Sequence, residues 1–210
     1  VRRVDFNLYL ISSGKAADDE PLITTIEAAL KGGAKAVQLR EKKLSAKKLF
    51  GVAKKLRELT NLYNAKLFIN DRIDVALAVK ADGTHLGQAS FSAQEARGLT
   101  GSEMLIGVST HSMDEALKAE ADGADFITLG PIYETPSKLC YGKPIGASAL
   151  NEVSKKIAIP IFALGGVKKD NINELITNGA DGVALISAVM SSKDPRASTM
   201  TIIQELNNTS

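Results

Sequence analysis

Gly33-Ala34-Lys35-Ala36, Lys80-Ala81-Asp82-Gly83, Gly123-Ala124-Asp125-Phe126 and Gly179-Ala180-Asp181-Gly182 are four versions of one joint. Each follows a helix-patterned stretch and leads into a short apolar run. A glycine just past a helix supplies the left-handed backbone that ends it, and the small residue after it lets the next strand enter closely. Read outward from these joints, residues 6–11, 36–39, 66–69, 83–86, 105–108, 126–129, 161–164 and 182–186 are expected strands. They are apolar on both faces or nearly so, as in a parallel sheet covered by helices. The joints fall before the second, fourth, sixth and eighth strands, so the unit repeats every second βα step.

The stretches between the runs carry helix patterning. Ser45 is placed to cap a helix whose Leu49, Val52, Ala53, Leu56 and Leu59 share one face. Asp170 is expected to open the helix holding Ile172, Leu175 and Ile176, with Asn178-Gly179 as its stop. Eight βα units without a foreign segment describe an α/β protein, a single-domain (β/α)8 TIM barrel over residues 1–210. Such barrels usually have about 250 residues, with a lower limit near 200, so this one is compact. A doubly wound open sheet is the competing architecture.

Composition narrows the function. Lys+Arg number 26 against 24 Asp+Glu, a formal net charge of +2. That balance gives no basic stripe for a nucleic-acid partner. Apolar residues make up 44%, ordinary for a globular chain. No run approaches the roughly 18 apolar residues of a membrane span, and no secretory signal is visible. Cys140 stands alone, which suits a reducing compartment and a cytoplasmic location. Small-molecule substrates are the expected partners, and the helical outer face would allow a homo-oligomer.

Barrel sites lie at the carboxyl ends of the strands, and polar residues collect there. The expected second strand ends in Gln38-Leu39-Arg40-Glu41-Lys42, the third in Asn70-Asp71-Arg72, the fourth in His85-Leu86-Gly87-Gln88. The fifth ends in Ser109-Thr110-His111-Ser112, and the sixth opens a long loop through Thr135, Ser137 and Lys138. Gly165-Gly166 after the seventh strand and Ser187 after the eighth suit a phosphate cradle, with Ser187 opening the last helix; the glycines could equally serve the turn alone. Arg40, Lys42 and Lys138 imply a second anion site, although Lys42 and Lys43 also fit solvated helix-start residues. Asp71 is the natural Mg²⁺ ligand, with a helix N-cap as its structural alternative. His85 reads as a packed barrel residue and His111 as a candidate acid or base. Cys140 has no neighbouring His and reads as incidental; the two histidines lack zinc spacing.

These strings resemble the family of thiamin phosphate synthase and the thiazole tautomerase. The resemblance runs in order through Val37–Lys42, Phe68–Arg72, Asp82–Gln88, Ile106–Ser112, Gly130-Pro131, Thr135–Lys138, Leu164–Val167 and Ala184–Ala188, over nearly the whole chain. It implies condensation of 4-amino-5-hydroxymethyl-2-methylpyrimidine diphosphate with thiazole phosphate, giving thiamin phosphate and diphosphate by a dissociative substitution. It places the diphosphate on Arg40, Lys42, Asn70, Ser109 and Lys138, Mg²⁺ on Asp71 and Ser90, and the pyrimidine near Gln38. Thr135, Ser137, Gly166, Ile186 and Ser187 would hold the thiazole phosphate. Two positions depart from the pattern. Ser90 stands where the synthases carry a second Mg²⁺ carboxylate, and Ser12-Ser13 replaces Thr-Asp after the first strand. Ser90-Phe91-Ser92 is nearer the tautomerase, which would use His111 without metal. The retained cations favour the synthase; a non-catalytic barrel that binds a phosphorylated ligand is the remaining alternative.

Overall fold

The computed structural model describes residues 4–14, 19–135 and 144–209. The strands are β1 (Leu8–Ile11), β2 (Ala36–Leu39), β3 (Lys66–Asn70), β4 (Gly83–Leu86), β5 (Leu105–Thr110), β6 (Phe126–Leu129), β7 (Ile161–Leu164) and β8 (Gly182–Leu185). All neighbours pair in parallel, β8 returns to β1, and the sheet closes into a barrel in chain order. Closure excludes the open doubly wound sheet. The first and last strands are shorter than the expected 6–11 and 182–186, while β3 and β5 run further, to Asn70 and Thr110.

Around the barrel lie α1 (Asp19–Lys31), α2 (Ala46–Leu62), α3 (Ile73–Ala78), α4 (Ala93–Thr100), α5 (Met113–Ala121), α6 (Gly146–Ser154), α7 (Ile172–Thr177), α8 (Ser187–Met190) and α9 (Pro195–Asn208). Ser45 caps α2 by accepting from the Lys48 N–H, and its Leu49, Val52, Ala53 and Leu56 are buried. Two local expectations need correction. Asp170 lies inside a 3-10 turn, Lys169–Asn171, and α7 has no side-chain cap; the Asn171 carboxamide oxygen instead accepts from Lys168 N–H. Ser187 opens α8, not the last helix, which Asp194 caps and Pro195 starts. No described helix is long and apolar enough to cross a membrane.

The joints do more than stop helices. Gly33, Gly123 and Gly179 have φ of 102°, 87° and 94°, and in the second joint Lys80 takes the same left-handed turn at 53°. The aspartates then clamp the preceding strand. Asp82 N–H donates to Leu67 O (2.9 Å) while its carboxylate accepts from Leu67 N–H (2.7 Å). Asp125 does the same to Ile106 (2.8 and 2.7 Å), and Asp181 to Ile161 (2.9 and 2.8 Å). Each carboxylate supplies the acceptor that the backbone ladder lacks at the strand start. Arg57 and Arg97 hold the first two carboxylates, each at 2.6 Å. The clamp joins odd strands to even ones, which explains a repeat of two βα units.

Two cores result. Leu10, Val37, Ile69, Ile106, Ile127 and Val183 point out toward the helices. Inside the barrel, Tyr9, Phe68, Phe126 and Phe162 form a fully buried ring cluster plugged from below by Phe6. Phe6 centroids stand 5.1–5.8 Å from the other four, a range suited to tilted and edge-to-face pairs. Glycines make room for the rings: a Cβ at Gly83 would lie 2.3 Å from Phe68, and one at Gly107 2.4 Å from Phe126. This aromatic floor fills the lower barrel beneath the polar carboxyl end.

Candidate active site

Above the aromatic floor the inward positions turn polar. Gln38 on β2 and His85 on β4 meet the hydroxyl of Tyr9, and Ser109 on β5 and Thr128 on β6 meet the other side of the His85 ring. Gln38 Nε2 donates to Tyr9 Oη at 3.0 Å, and Tyr9 Oη lies 3.4 Å from His85 Nδ1. His85 Nε2 is 3.0 Å from Ser109 Oγ and 3.5 Å from Thr128 Oγ1. Burial lowers the His85 pKa to about 3; Asp71 opposes that shift and Arg40 adds to it. The imidazole is therefore neutral at physiological pH. His85 is packed inside the barrel as expected, and it is also hydrogen-bonded on both nitrogens.

The mouth of the barrel carries the charges. Arg40 and Lys42 follow β2, and between them Glu41 turns inward, only 5% exposed. Glu41 Oε1 accepts from Ser12 Oγ (2.7 Å) and from Gly14 N–H (3.0 Å), while Ser12 Oγ accepts from Arg40 N–H (2.8 Å). This bracket ties the loop after β1 to the end of β2. Ser12, at a position that departs from the synthase pattern, thus has a structural task here.

Asp71 sits at the end of β3 with a positive φ of 59°. Its Oδ1 accepts from Gly87 N–H (3.1 Å) and from the Ser90 hydroxyl. Its Oδ2 accepts from Asn70 Nδ2 (2.6 Å), with Lys42 Nζ at 3.8 Å. Partial burial pushes the carboxyl up, but the donors from Ser90 and Gly87, the Lys42 charge and the Asn70 amide together hold it below its ordinary value. Asp71 does not cap α3: Arg72 holds that place and makes no side-chain cap bond. Asp71, Asn70, Lys42 and Ser90 are brought together as the sequence suggested. Among the described residues, no three His, Cys, Asp or Glu side chains converge as a metal cage.

His111 begins the turn into α5. Its Nδ1 lies 3.0 Å from Glu115 Oε2, and the same oxygen accepts from His111 N–H at 2.7 Å. The Glu115 partner was missed in the sequence, although a Glu four residues after a His at a helix start is a readable signal. On the far side, Ile132 and Tyr133 N–H groups donate to Leu164 O and Gly165 O at 2.9 and 3.0 Å. Gly165 and Gly166 have φ of 98° and 68°, and a Cβ on them would come within 2.7 Å of Pro131 and 2.6 Å of Tyr133 Cβ. Packing against this loop already requires both glycines. Tyr133 donates to Glu174 Oε2 at 2.7 Å, and burial together with that carboxylate pushes its pKa up to about 12. Thr135 is half-buried at the edge of the described chain, and Ile186 directly precedes Ser187 at the start of α8. Ser137, Lys138 and Cys140 lie outside the described residues, with the rest of 136–143.

The fold defines the class, a (β/α)8 barrel with polar and charged residues gathered at the carboxyl ends of its strands. Residues 8–189 match the family model described as thiamine monophosphate synthase. A putative thiamine-phosphate synthase of Geobacter sulfurreducens is 52% identical over 92% of this chain and 91% of its own. A thiamine-phosphate synthase of Clostridium novyi is 39% identical, covering 95% and 98%. Among solved structures, a thiamine phosphate pyrophosphorylase from Pyrococcus furiosus superposes with a TM-score of 0.89 at 35% identity, covering 97% and 96%. The chain belongs to the thiamine monophosphate synthase family.

Proposed function

We propose that the carboxyl-end site joins a pyrimidinylmethyl diphosphate to the ring nitrogen of a thiazole phosphate. The bond between the methylene carbon and the diphosphate oxygen breaks first, and the diphosphate leaves with the electron pair. The aminopyrimidine spreads the resulting positive charge. The thiazole nitrogen then donates its lone pair to the methylene carbon, giving thiamin phosphate. This sequence requires stabilisation of the departing anion more than it requires a strong base.

One observation carries the reading: the strand ends of β2 and β3 set Lys42 and Asn70 against an Asp71 carboxylate that three donors and the Lys42 charge hold ionised, with Arg40 on the same strand end as Lys42. Arg40 and Lys42, with Asn70, Ser109 and Lys138, would bind the diphosphate, and Gln38 the pyrimidine end of the substrate. Thr135, Ser137, Gly166, Ile186 and Ser187 would hold the thiazole phosphate. An ionised carboxylate beside a hydroxyl is the hard oxygen set that Mg²⁺ accepts while keeping water and phosphate ligands. Asp71, with Ser90, would hold that ion, which when bound neutralises diphosphate charge. A single cysteine fits a cytoplasmic setting.

The His111–Glu115 pair is the one feature that favours proton-transfer chemistry of the tautomerase kind, because the carboxylate orients the imidazole. Substitution separates the readings. For the condensation, Asp71→Ala and Lys138→Ala abolish product formation and His111→Ala is mild. A wild-type-like Asp71→Ala together with a dead His111→Ala would reverse the assignment.

A further inference from the structure

The condensation gives Ser109 and Gln38 tasks but none to Tyr9 and His85, which link them in one polar chain. Hydrogen-bond direction along that chain is set by the number of protons available. The Gln38 amide nitrogen can only donate, so Tyr9 Oη accepts from it at 3.0 Å. The single Tyr9 proton then goes to His85 Nδ1, its other polar neighbour at 3.4 Å. An accepting Nδ1 on a neutral ring requires the proton on Nε2, which lies 3.0 Å from Ser109 Oγ. Thr128 Oγ1 lies further from the same nitrogen, at 3.5 Å, so Ser109 is the nearer acceptor from His85 and keeps its own proton to donate. Ser109 is only part-buried, so that donation is open to the mouth of the barrel.

The packing holds this arrangement in one orientation. His85 is 2% exposed, and its ring centroid stands 5.5 Å from that of Tyr9 and 5.8 Å from that of Phe126. Gly107 on the neighbouring strand leaves the necessary space, since a Cβ there would lie 2.6 Å from His85 Nδ1. A ring packed in this way presents a fixed N–H.

We propose that His85 is a positioning residue that fixes the Ser109 hydroxyl as a donor toward the departing diphosphate, through a one-way hydrogen-bond chain from Gln38 and Tyr9. The proposal rests on the assignment of Ser109 to the diphosphate. An O–H donated to an oxyanion strengthens as charge builds on that oxygen, so its effect falls on the transition state more than on ground-state binding. His85 thus acts through Ser109 without touching the substrate.

Two measurements on the full chain test it. In the free protein near neutral pH, nitrogen NMR of His85 should show a neutral ring protonated at Nε2. A ring protonated at Nδ1, or an imidazolium, overturns the chain direction whatever the activity. In the condensation assay, His85→Leu should lower kcat on the order of 10–100-fold with KM nearly unchanged. His85→Gln, whose amide can still donate to Ser109, should recover most of the loss and checks that the Leu effect is not misfolding. In a Ser109→Ala background, His85→Leu should cost nothing further, and independent additive losses would refute the coupling. If the wild-type chain forms no thiamin phosphate, the functional assignment fails, while the NMR result still decides the direction of the chain.

Discussion

Ser90→Asp puts the proposed Mg²⁺ corner to a quantitative test. The Ser90 hydroxyl already contacts Asp71 Oδ1 and accepts from Gly87 N–H at 3.1 Å. An aspartate at that position would bring a second negative charge to about 4 Å, where two unit charges repel by about 4 kcal/mol at an effective dielectric constant of about 20. Asp71 is 33% exposed and Lys42 stands 3.8 Å from its other oxygen, so solvent and counter-charge screen the pair. Roughly half the repulsion, about 2 kcal/mol, should survive. For a chain of this size, each kcal/mol moves Tm by about 2–4 °C, so the variant should melt about 4–8 °C below wild type in chelator. Mg²⁺ at about 100 times its Kd contributes about 2.7 kcal/mol and should restore the loss. Wild type, with one carboxylate, should shift by far less. Thermal melts of both proteins, with chelator and with Mg²⁺, read the difference. An unshifted Ser90→Asp in chelator, or a shifted one that Mg²⁺ leaves unmoved, would refute the reasoning.

Asp125→Ala removes the acceptor of both Ile106 N–H and Arg97, at a carboxylate only 10% exposed, and should cost about 2–4 kcal/mol in urea unfolding. The same change at Asp82, 33% exposed, should cost less. Lys80→Gly relieves a left-handed residue at φ 53° and should raise stability by about 0.5–1 kcal/mol, net of added chain entropy; a loss would contradict the joint reading. The Asp71 carboxyl is held below its ordinary value, so its stabilisation is present above the usual carboxylate range and is lost as pH falls through the lowered folded value. Asp71→Asn should accordingly flatten the acid limb of the Tm–pH profile.

The joints made the barrel readable. A strand buried on both faces, a left-handed stop and a small residue are local features, and local features repeat along the chain. The reciprocal clamps of Asp82, Asp125 and Asp181 lie in the same joints, but their partners Leu67, Ile106 and Ile161 lie 15, 19 and 20 residues upstream. The charged mouth was legible for the same reason, since Asn70 ends its strand and Arg40, Lys42 and Asp71 follow theirs within three residues. What the sequence hid was convergence across the barrel. Tyr9, Gln38, His85, Ser109 and Thr128 come from five strands, and only closure brings them together. Glu41 was likewise hidden, because its buried role depends on the loop after β1 folding over it. Asp170 misled because an acidic residue before an apolar repeat is also compatible with a 3-10 turn.

The central claim is that this barrel forms thiamin phosphate with release of diphosphate, and the most direct measurement is to follow both products from the purified chain. The substrates are the pyrimidine diphosphate and the thiazole phosphate, supplied with and without Mg²⁺. The account predicts equal amounts of diphosphate and thiamin phosphate, formed only when Mg²⁺ is present. No diphosphate at any Mg²⁺ concentration would contradict it and leave His111 and Glu115 as the pair to pursue.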